Sequence, residues 1–177
     1  MSLADIIAQV GGRSTIEQIS KRFGLPEALT SQAVGMLLPS LTNGMSRNIQ
    51  KKDGLGGLLA ALASGNHANY LEQPEQLSSA ETAAEGNGIL GHVLGGKDAS
   101  RAVAATVSGF LGIDNQTVKQ MLPMVATLAM GALAKKTRAA GISPEQASGA
   151  GSSDVLGQLV GMLQSGGAAK ILGGLFS

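Results

Sequence analysis

The 177-residue sequence contains no cysteine and no tryptophan, and aromatic residues make up only 2% of it. Without cysteine the chain has no disulfide framework, no thiolate nucleophile and no zinc–thiolate site, so three classes of protein are excluded together. Because rings are so scarce, Leu, Ile, Val, Met and Ala have to fill the core. The composition therefore predicts a close-packed core of aliphatic and small side chains.

An excess of charge of one sign is also lacking, since 13 basic residues stand against 12 acidic ones and leave a net charge of +1. This balance gives no strong field that would gather nucleic acid or an anionic membrane. The start, Met1 to Asp5, lacks the basic and apolar regions of a secretory signal, and no cysteine is present for lipidation. We therefore expect a cytoplasmic protein.

No apolar run reaches the length of a membrane span. The longest strongly apolar stretch without charge, Gln120 to Ala134, lies between Lys119 and Lys135 and is interrupted by Pro123. A transmembrane helix needs about 20 apolar residues. We expect a core helix here and no membrane span.

Glycine, in contrast, is abundant, with 26 residues that follow no collagen-like period. Helix ends, turns and close helix contacts are its expected roles. Apolar residues recur at helical spacing, whereas alternating or β-branched runs are short. The sequence predicts an all-α fold, an irregular array of several helices.

Helix starts are marked by capping boxes, in which a serine and a following acidic or amide side chain satisfy free amide groups. The three boxes are Ser14 with Glu17, Ser78 with Glu81, and Ser143 with Gln146 after Pro144. After Ser14, the residues Ile16, Ile19 and Phe23 share one helix face, and Gly24 is predicted to end that helix. Two polar stretches without a clear period, Ser64 to Gly88 and Arg138 to Ser153, are predicted loops with room for a short helix.

The chain also resembles itself. Leu55–Gly65 aligns without gaps on Leu156–Gly166, and six of the eleven positions are identical. Three further pairs of blocks keep the same order: Phe23–Leu25 with Leu111–Ile113, Leu37–Pro39 with Met121–Pro123, and Ile89–Gly91 with Ile171–Gly173. We interpret this as a duplication with weakly similar halves at 1–96 and 97–177, packed as one compact domain with pseudo-twofold symmetry.

Residues for catalysis or metal binding do not form a recognisable pattern. His67 and His92 have no carboxylate or imidazole partner at helical spacing, so a surface or satisfied structural role is expected for both; Asp98, six residues after His92, is an unsupported partner. Gly95 and Gly96 precede Lys97 without the remaining phosphate-loop residues, and no serine stands in a hydrolase motif. We therefore expect no enzyme, no catalytic residue, no cofactor and no metal.

A helix-turn-helix pattern offers a second hypothesis. Ser108, Gly112 and Ile113, followed by Val118 and Met121, have the spacing of that motif, and the segment around Ser20 to Leu25 repeats it less well. The second helix becomes apolar after Lys119, which favours helix-corner packing over base reading. The basic clusters are predicted to lie at helix ends, where they complement the helix dipole; they are Arg47 with Lys51 and Lys52, and Lys135 with Lys136 and Arg138.

Two other features are compatible with binding. The chain has seven methionines, which could line an adaptable groove for a small apolar ligand but more often fill a core without rings; six are Met36, Met45, Met121, Met124, Met130 and Met162. Small-residue faces at Gly56–Gly57, Gly157–Gly161 and Gly173–Gly174 permit close helix contact within the chain or between chains. Self-association is therefore expected.

Several of these blocks together resemble the YidB-like bacterial domain of unknown function. The resemblance rests on Phe23–Leu25 leading to Leu37–Pro39 and Gly44, on Ile89–Gly96, and on Met121–Pro123 leading to Met130–Leu133. It covers roughly residues 16–136; the insert Asn66 to Gly88 and the tail after Arg138 are the parts least like the family. The resemblance implies an irregular helical array in a bacterial protein and brings no catalytic residues with it.

Taken together, the sequence and the resemblance predict a bacterial protein that acts as a non-catalytic helical interaction module, without a recognisable catalytic or cofactor motif. A protein, including a second copy of the chain, is the expected partner, and nucleic acid is not. The alternative is a helix-turn-helix-like nucleic-acid binder, and the third hypothesis is a carrier of a small apolar ligand.

Overall fold

The structure, a computed structural model, describes residues 12–51, 54–64, 67, 69–142 and 152–164. Every regular element in these ranges is helical, which confirms the all-α prediction. The helices are α1 (Gly12–Phe23), α2 (Glu27–Ile49), α3 (Gly54–Ser64), α4 (Asn69–Glu72), α5 (Ala80–Leu94), α6 (Lys97–Leu111), α7 (Asn115–Ala139) and α8 (Ser152–Gln164). A 3-10 helix (Pro74–Ser78) lies between α4 and α5.

Helix α7 forms the centre of the core, because every residue from Met121 to Ala134 is buried. Helices α2, α3, α4, α5 and α6 pack around it, and α5 makes the most extensive contact. Of the helices described, α7 alone is long and apolar enough to cross a membrane by length and composition, and 83% of its apolar window is buried inside the structure. That burial is typical of a core helix.

Two long helices continue through an internal proline. Pro123 lies inside α7 and Pro39 inside α2, although proline removes one backbone donor from a helix. A threonine follows each proline within one turn and bonds the local backbone: Thr127 donates to the Pro123 carbonyl at 3.0 Å, and Thr42 donates to the Pro39 carbonyl at 3.0 Å. The proline in the apolar run therefore does not end the helix.

Helix α5 packs between α2 and α7 at a very short distance, and a glycine permits each contact. A Cβ atom on Gly86 of α5 would lie 2.2 Å from the carbonyl oxygen of Pro123 in α7. A Cβ atom on Gly44 of α2 would lie 2.5 Å from the carbonyl oxygen of Val93 in α5. Gly54 at the start of α3 makes a third close approach, because an added Cβ atom there would clash with the Asn48 carbonyl oxygen of α2. The described glycines of the predicted small-residue faces meet no atom within 4 Å in this way.

The surface helix predicted after Ser14 is confirmed as α1, but its start was placed too late. Ile19 is fully buried, Ile16 and Phe23 pack partly buried against the core, and Gly24 follows the last turn with a φ of +64°. Because α1 already begins at Gly12, Ser14 is an exposed residue inside the first turn. The prediction that Ser14 caps this helix is therefore wrong.

The second capping box is displaced by one residue. The N-cap of α5 is Ser79, whose hydroxyl oxygen accepts from the Thr82 amide at 3.1 Å, whereas Ser78 ends the preceding 3-10 helix. The loop predicted at Ser64 to Gly88 is consequently wrong in its second part, since the last nine of its residues belong to α5 and much of the rest to α4 and the 3-10 helix. Packing of Tyr70 and Leu77 into the core gives this polar segment its order.

The other predicted loop, Arg138 to Ser153, lies mostly outside the described residues, and so does the third capping box at Ser143. The described ends of this stretch are helical: Ala139 is the last residue of α7 and Ser152 the first of α8. Gly141 takes a φ of +68° just after α7, and the amide of Ile142 donates back to the Thr137 carbonyl at 2.9 Å. This is a helix end of the kind that glycine favours.

The repeated blocks occupy comparable local structures where both copies are described. Gly24 and Gly112 each adopt left-handed φ values, +64° and +68°, directly after a helix, and another helix begins three residues later. The helix-internal proline lies 15 residues after Gly24 (Pro39) but only 11 after Gly112 (Pro123), a difference of about one helical turn. Helix α2 packs on α6, α7 and α8, so elements of both sequence halves share the core. The duplication and its boundary after Gly96 stay predictions.

Candidate functional site

The outward face of α6 is an exposed surface of mostly apolar and small residues. Its members, which we call the α6 outer face, are Ala102, Ala105, Thr106, Gly109 and Phe110, all exposed. Phe110 is 77% exposed, and no other large hydrophobic side chain among the described residues is exposed. The opposite side of the helix carries the buried Ala104 and Val107, so α6 has two apolar faces and only one of them is covered.

The corresponding position of the first helical corner carries charge instead. Arg22 lies two residues before Gly24, as Phe110 lies two residues before Gly112. The Arg22 guanidinium donates to the Ser78 carbonyl at 2.8 Å, and the neighbouring Lys21 pairs with Glu17. Since that pairing stabilises the carboxylate, it lowers the pKa of Glu17. An exposed ring is therefore not a requirement of this corner, because the other corner is built with a cation at the same place.

The corner between α6 and α7 has the helix-turn-helix pattern but is held by packing. The Gly112 amide donates to the Ser108 carbonyl at 2.9 Å, and the Ser108 hydroxyl donates to the Ile113 carbonyl at 2.7 Å. Ile113, Val118 and Met121 are each at most 5% exposed. These contacts account for the residues that form the motif.

Next to the corner, the outward residues of α7 are few. Gln116, Lys119 and Gln120 are exposed, every residue from Met121 to Ala134 is buried, and exposure returns only in the last turn, at Arg138 and Ala139. Amide and ammonium groups of this kind can read base edges. The exposed part of α7 at this corner is about one and a half turns long and carries one cation, Lys119. It can contact far fewer phosphates than a DNA-binding helix usually does.

His67 is buried, which leaves the structural role of the two roles that the sequence allowed. It is only 6% exposed, and its Nδ1 atom lies 3.8 Å from Oε2 of Glu85 with no hydrogen-bond partner in the described part of the chain, so this nitrogen is not satisfied. The ring also makes a hydrogen bond with the backbone of Ala61 near the end of α3. Burial lowers the pKa of His67, against the opposing effects of the Glu85 carboxylate and the Ala61 hydrogen bond.

Glu85 joins His67 to the only tyrosine of the sequence. The Tyr70 hydroxyl donates to Oε2 of Glu85 at 2.9 Å, while Tyr70 itself is 8% exposed, and burial raises the pKa of its hydroxyl. The Glu85 side chain is 43% exposed. Sequence reasoning missed this cluster because Glu85 follows His67 by 18 residues, and only the fold of α4 and the 3-10 helix brings the two together.

The second histidine lies apart from this cluster. His92 is exposed in the last turn of α5. Asp98, its unsupported partner, pairs instead with Arg101, with 3.1 Å between Oδ1 and Nη1. Gly95 and Gly96 have φ values of +81° and +144° and form the junction of α5 and α6, which confirms that they terminate a helix.

The chemistry available in the described residues is limited. No three of the His, Asp and Glu side chains described gather closely enough to hold a metal ion. The methionines that are described with their side chains mostly fill the core: Met45, Met121, Met124 and Met130 are each at most 2% exposed, and Met36 packs partly buried against them. The basic cluster Lys135, Lys136 and Arg138 lies at the end of α7, where Lys135 pairs with Glu72 of α4 at 3.2 Å.

Fold and surface together define an all-helical protein with an uncovered apolar helix face. Comparison with known proteins adds the family: residues 5–136 match the model described as "Bacterial protein of unknown function (DUF937)". The chain belongs to this bacterial family, of which YidB is a member, and the predicted resemblance is confirmed. No curated protein matches the chain. No solved structure matches it either.

Proposed function

We propose that this chain is a non-catalytic protein-interaction module that self-associates through the α6 outer face. The observation that carries the proposal is Phe110, a large ring that is 77% exposed on an uncharged stripe of small residues. Leaving a phenylalanine side chain in water forgoes about 1.5–3 kcal/mol that burial would provide. A partner that covers this stripe recovers that free energy.

The arrangement of the stripe favours a second copy of the same chain as the partner. Ala102, Thr106 and Phe110 form one row at four-residue spacing. The small Ala102 and the large Phe110 therefore lie at equal distances on either side of Thr106. In an antiparallel pair of α6 helices that cross at Thr106, each Phe110 ring lies over the Ala102 of the other copy. A twofold contact requires this kind of self-complementarity.

The electrostatics of the chain place no obstacle to such a pair. The net charge is only +1, and Asp98 and Arg101 at the start of the face already neutralise each other within one copy. A single helix face buries less than the roughly 1,200 Å² of a stable specific interface. We therefore expect a weak dimer that forms with rising protein concentration.

Sedimentation velocity over a wide concentration range tests this proposal. The wild-type chain is expected to shift from monomer to dimer, and the variants Phe110→Glu and Ala102→Glu are expected to remain monomeric, because each places a carboxylate in the contact. Ala84→Glu is the matched control, since Ala84 is an exposed alanine on α5 and the variant should dimerise like the wild type. A strictly monomeric wild type would refute self-association, and unchanged dimerisation of both face variants would refute this interface.

The exposed start of α7 supports nucleic-acid binding as the second candidate function. Gln116, Lys119 and Gln120 point outward next to the α6–α7 corner. This candidate predicts that a labelled DNA duplex binds with an affinity that falls as salt rises, and that Lys119→Ala reduces the salt dependence by about one phosphate contact. Lys135→Ala should have less effect because Lys135 is engaged with Glu72. Absent or salt-insensitive binding would remove this candidate.

A further inference from the structure

The cluster formed by His67, Tyr70 and Glu85, which we call the His67 latch, lies within the polar insert and connects the segments of α3, α4 and α5. His67 follows α3, Tyr70 lies in α4, and Glu85 lies in α5. The His67 ring bonds the backbone of Ala61 on one side and lies 3.8 Å from the Glu85 carboxylate on the other. Glu85 also accepts the Tyr70 hydrogen bond at 2.9 Å. This carboxylate is therefore the common contact of the latch.

The hydrogen bonds show which protonation state the closed latch favours. Because Nδ1 of His67 has no partner, the bond to Ala61 uses Nε2, and a backbone carbonyl can only accept. Nε2 therefore carries the proton of the neutral ring, and the bare Nδ1 lone pair faces a carboxylate oxygen at 3.8 Å. Two acceptors cannot bond each other, so this contact adds nothing to the closed latch while the ring is neutral.

A second proton, taken up at Nδ1, places a cation where water is excluded. His67 is 6% exposed, whereas the Glu85 side chain is 43% exposed and already accepts a hydrogen bond from Tyr70. Water around Glu85 screens its attraction for the cation, and desolvation then outweighs the ion pair. Among the other helices around the latch, α3 has no charged residue, Glu72 of α4 pairs with Lys135 of α7, and Glu81 of α5 acts on Tyr70.

We infer that the His67 latch is acid-sensitive: at neutral pH it is closed, with His67 buried and Tyr70 bonded to Glu85, and it opens when Nδ1 of His67 takes up a proton. Opening brings the imidazolium into water, where it is stable. Because Tyr70 follows His67 by only three residues, movement of His67 also breaks the hydrogen bond between Tyr70 and Glu85. The inference concerns a face of the molecule other than the α6 outer face and does not depend on self-association.

The chain carries its own probe of this event. Tyr70 is the only tyrosine and there is no tryptophan, so tyrosine emission reports on the latch alone. A carboxylate that accepts a hydrogen bond from tyrosine quenches its emission. Between pH 8 and pH 5 we expect the emission to rise in the wild type, and the open population to grow up to about 30-fold if the released imidazole has its ordinary pKa of about 6.5. Hydrogen exchange of the peptide that contains Tyr70, corrected for intrinsic rates, should show the same loss of protection.

Two variants separate the latch from other acid effects. His67→Gln keeps a donor for the Ala61 carbonyl but cannot titrate, so both signals should become independent of pH; His92→Gln, the matched control, should behave like the wild type. The inference is refuted if the wild type shows no change, or if His67→Gln shows the same change. If His67→Gln fails to fold, Glu85→Gln provides the test. Without the negative charge of Glu85, no carboxylate offsets the burial of the imidazolium, so the acid-induced loss of hydrogen-exchange protection should be larger than in the wild type. A smaller loss would overturn the inference.

Discussion

Replacement of Gly86 by alanine should destabilise this protein, although alanine is the better helix former. An added Cβ atom would lie 2.2 Å from the Pro123 carbonyl oxygen and 2.6 Å from the Pro123 Cβ atom. Ordinary contacts of this kind are 3.4 Å or longer, so the two helices would have to separate by about 1 Å. Because Pro123 lies in the buried middle of α7 and its backbone cannot rotate away, the strain falls on the most extensive helix contact of the fold.

The magnitude follows from two opposing effects. Overpacking of a core costs about 1–3 kcal/mol and more where backbone is in the way, whereas exchanging glycine for alanine inside a helix gains about 1 kcal/mol. Because a backbone carbonyl is in the way, the overpacking cost lies at the upper end of its range, and we expect a net loss of about 2 kcal/mol in the free energy of unfolding. For a chain of this length, this corresponds to a fall in Tm of about 4–8 °C.

Urea unfolding followed by far-UV circular dichroism measures this loss. Gly88→Ala and Gly91→Ala are matched controls on the same helix, because both positions are exposed and no atom lies within 4 Å of the added Cβ. Each control should gain about 0.5–1 kcal/mol. If Gly86→Ala proved as stable as these controls, the close approach of α5 and α7 would be wrong.

Three further predictions concern a cap, a titration and the core. Ser79→Ala should lower the free energy of unfolding by about 1 kcal/mol, because α5 loses its N-terminal cap. Ser78→Ala, the control, should change it by less than about 0.5 kcal/mol. Equal effects of the two variants in urea unfolding would contradict the cap assignment. The pKa of His67 is lowered in the folded chain, so the unfolded chain binds the proton more readily. The free energy of unfolding should therefore fall as the pH decreases below about 6.5, the ordinary pKa of histidine. The decrease should be smaller in His67→Gln, and identical pH profiles of the two proteins would argue against a buried imidazole. Leu128→Ala, at a fully buried position of α7, should cost about 2–5 kcal/mol in the same unfolding measurement, and a loss below 1 kcal/mol would place this residue outside the core.

Local sequence was sufficient to predict the buried face and the end of a helix where these depend on residues of that helix alone. The spacing of Ile16, Ile19 and Phe23 predicted the buried face of α1, and glycine predicted its end at Gly24. Such signals depend on side chains three or four residues apart, which are neighbours in any helix. The same local rules predicted Ser78 as the N-cap of α5, but the structure places the cap at the neighbouring Ser79. The start of α5 depends on how the 3-10 helix before it packs against α1.

The sequence by itself therefore determined the fold class, the absence of cysteine chemistry and the apolar helix that fills the core. Only the tertiary structure decided which glycine meets a neighbouring backbone, which histidine is buried beside a carboxylate, and which apolar face is left uncovered. Gly86 and Gly88 are alike in sequence, but only one faces Pro123. Val107 and Phe110 are both apolar residues of α6, yet one is buried and the other is 77% exposed. The reason is physical: these properties belong to pairs of helices that are distant along the chain, and no local pattern records which faces will meet.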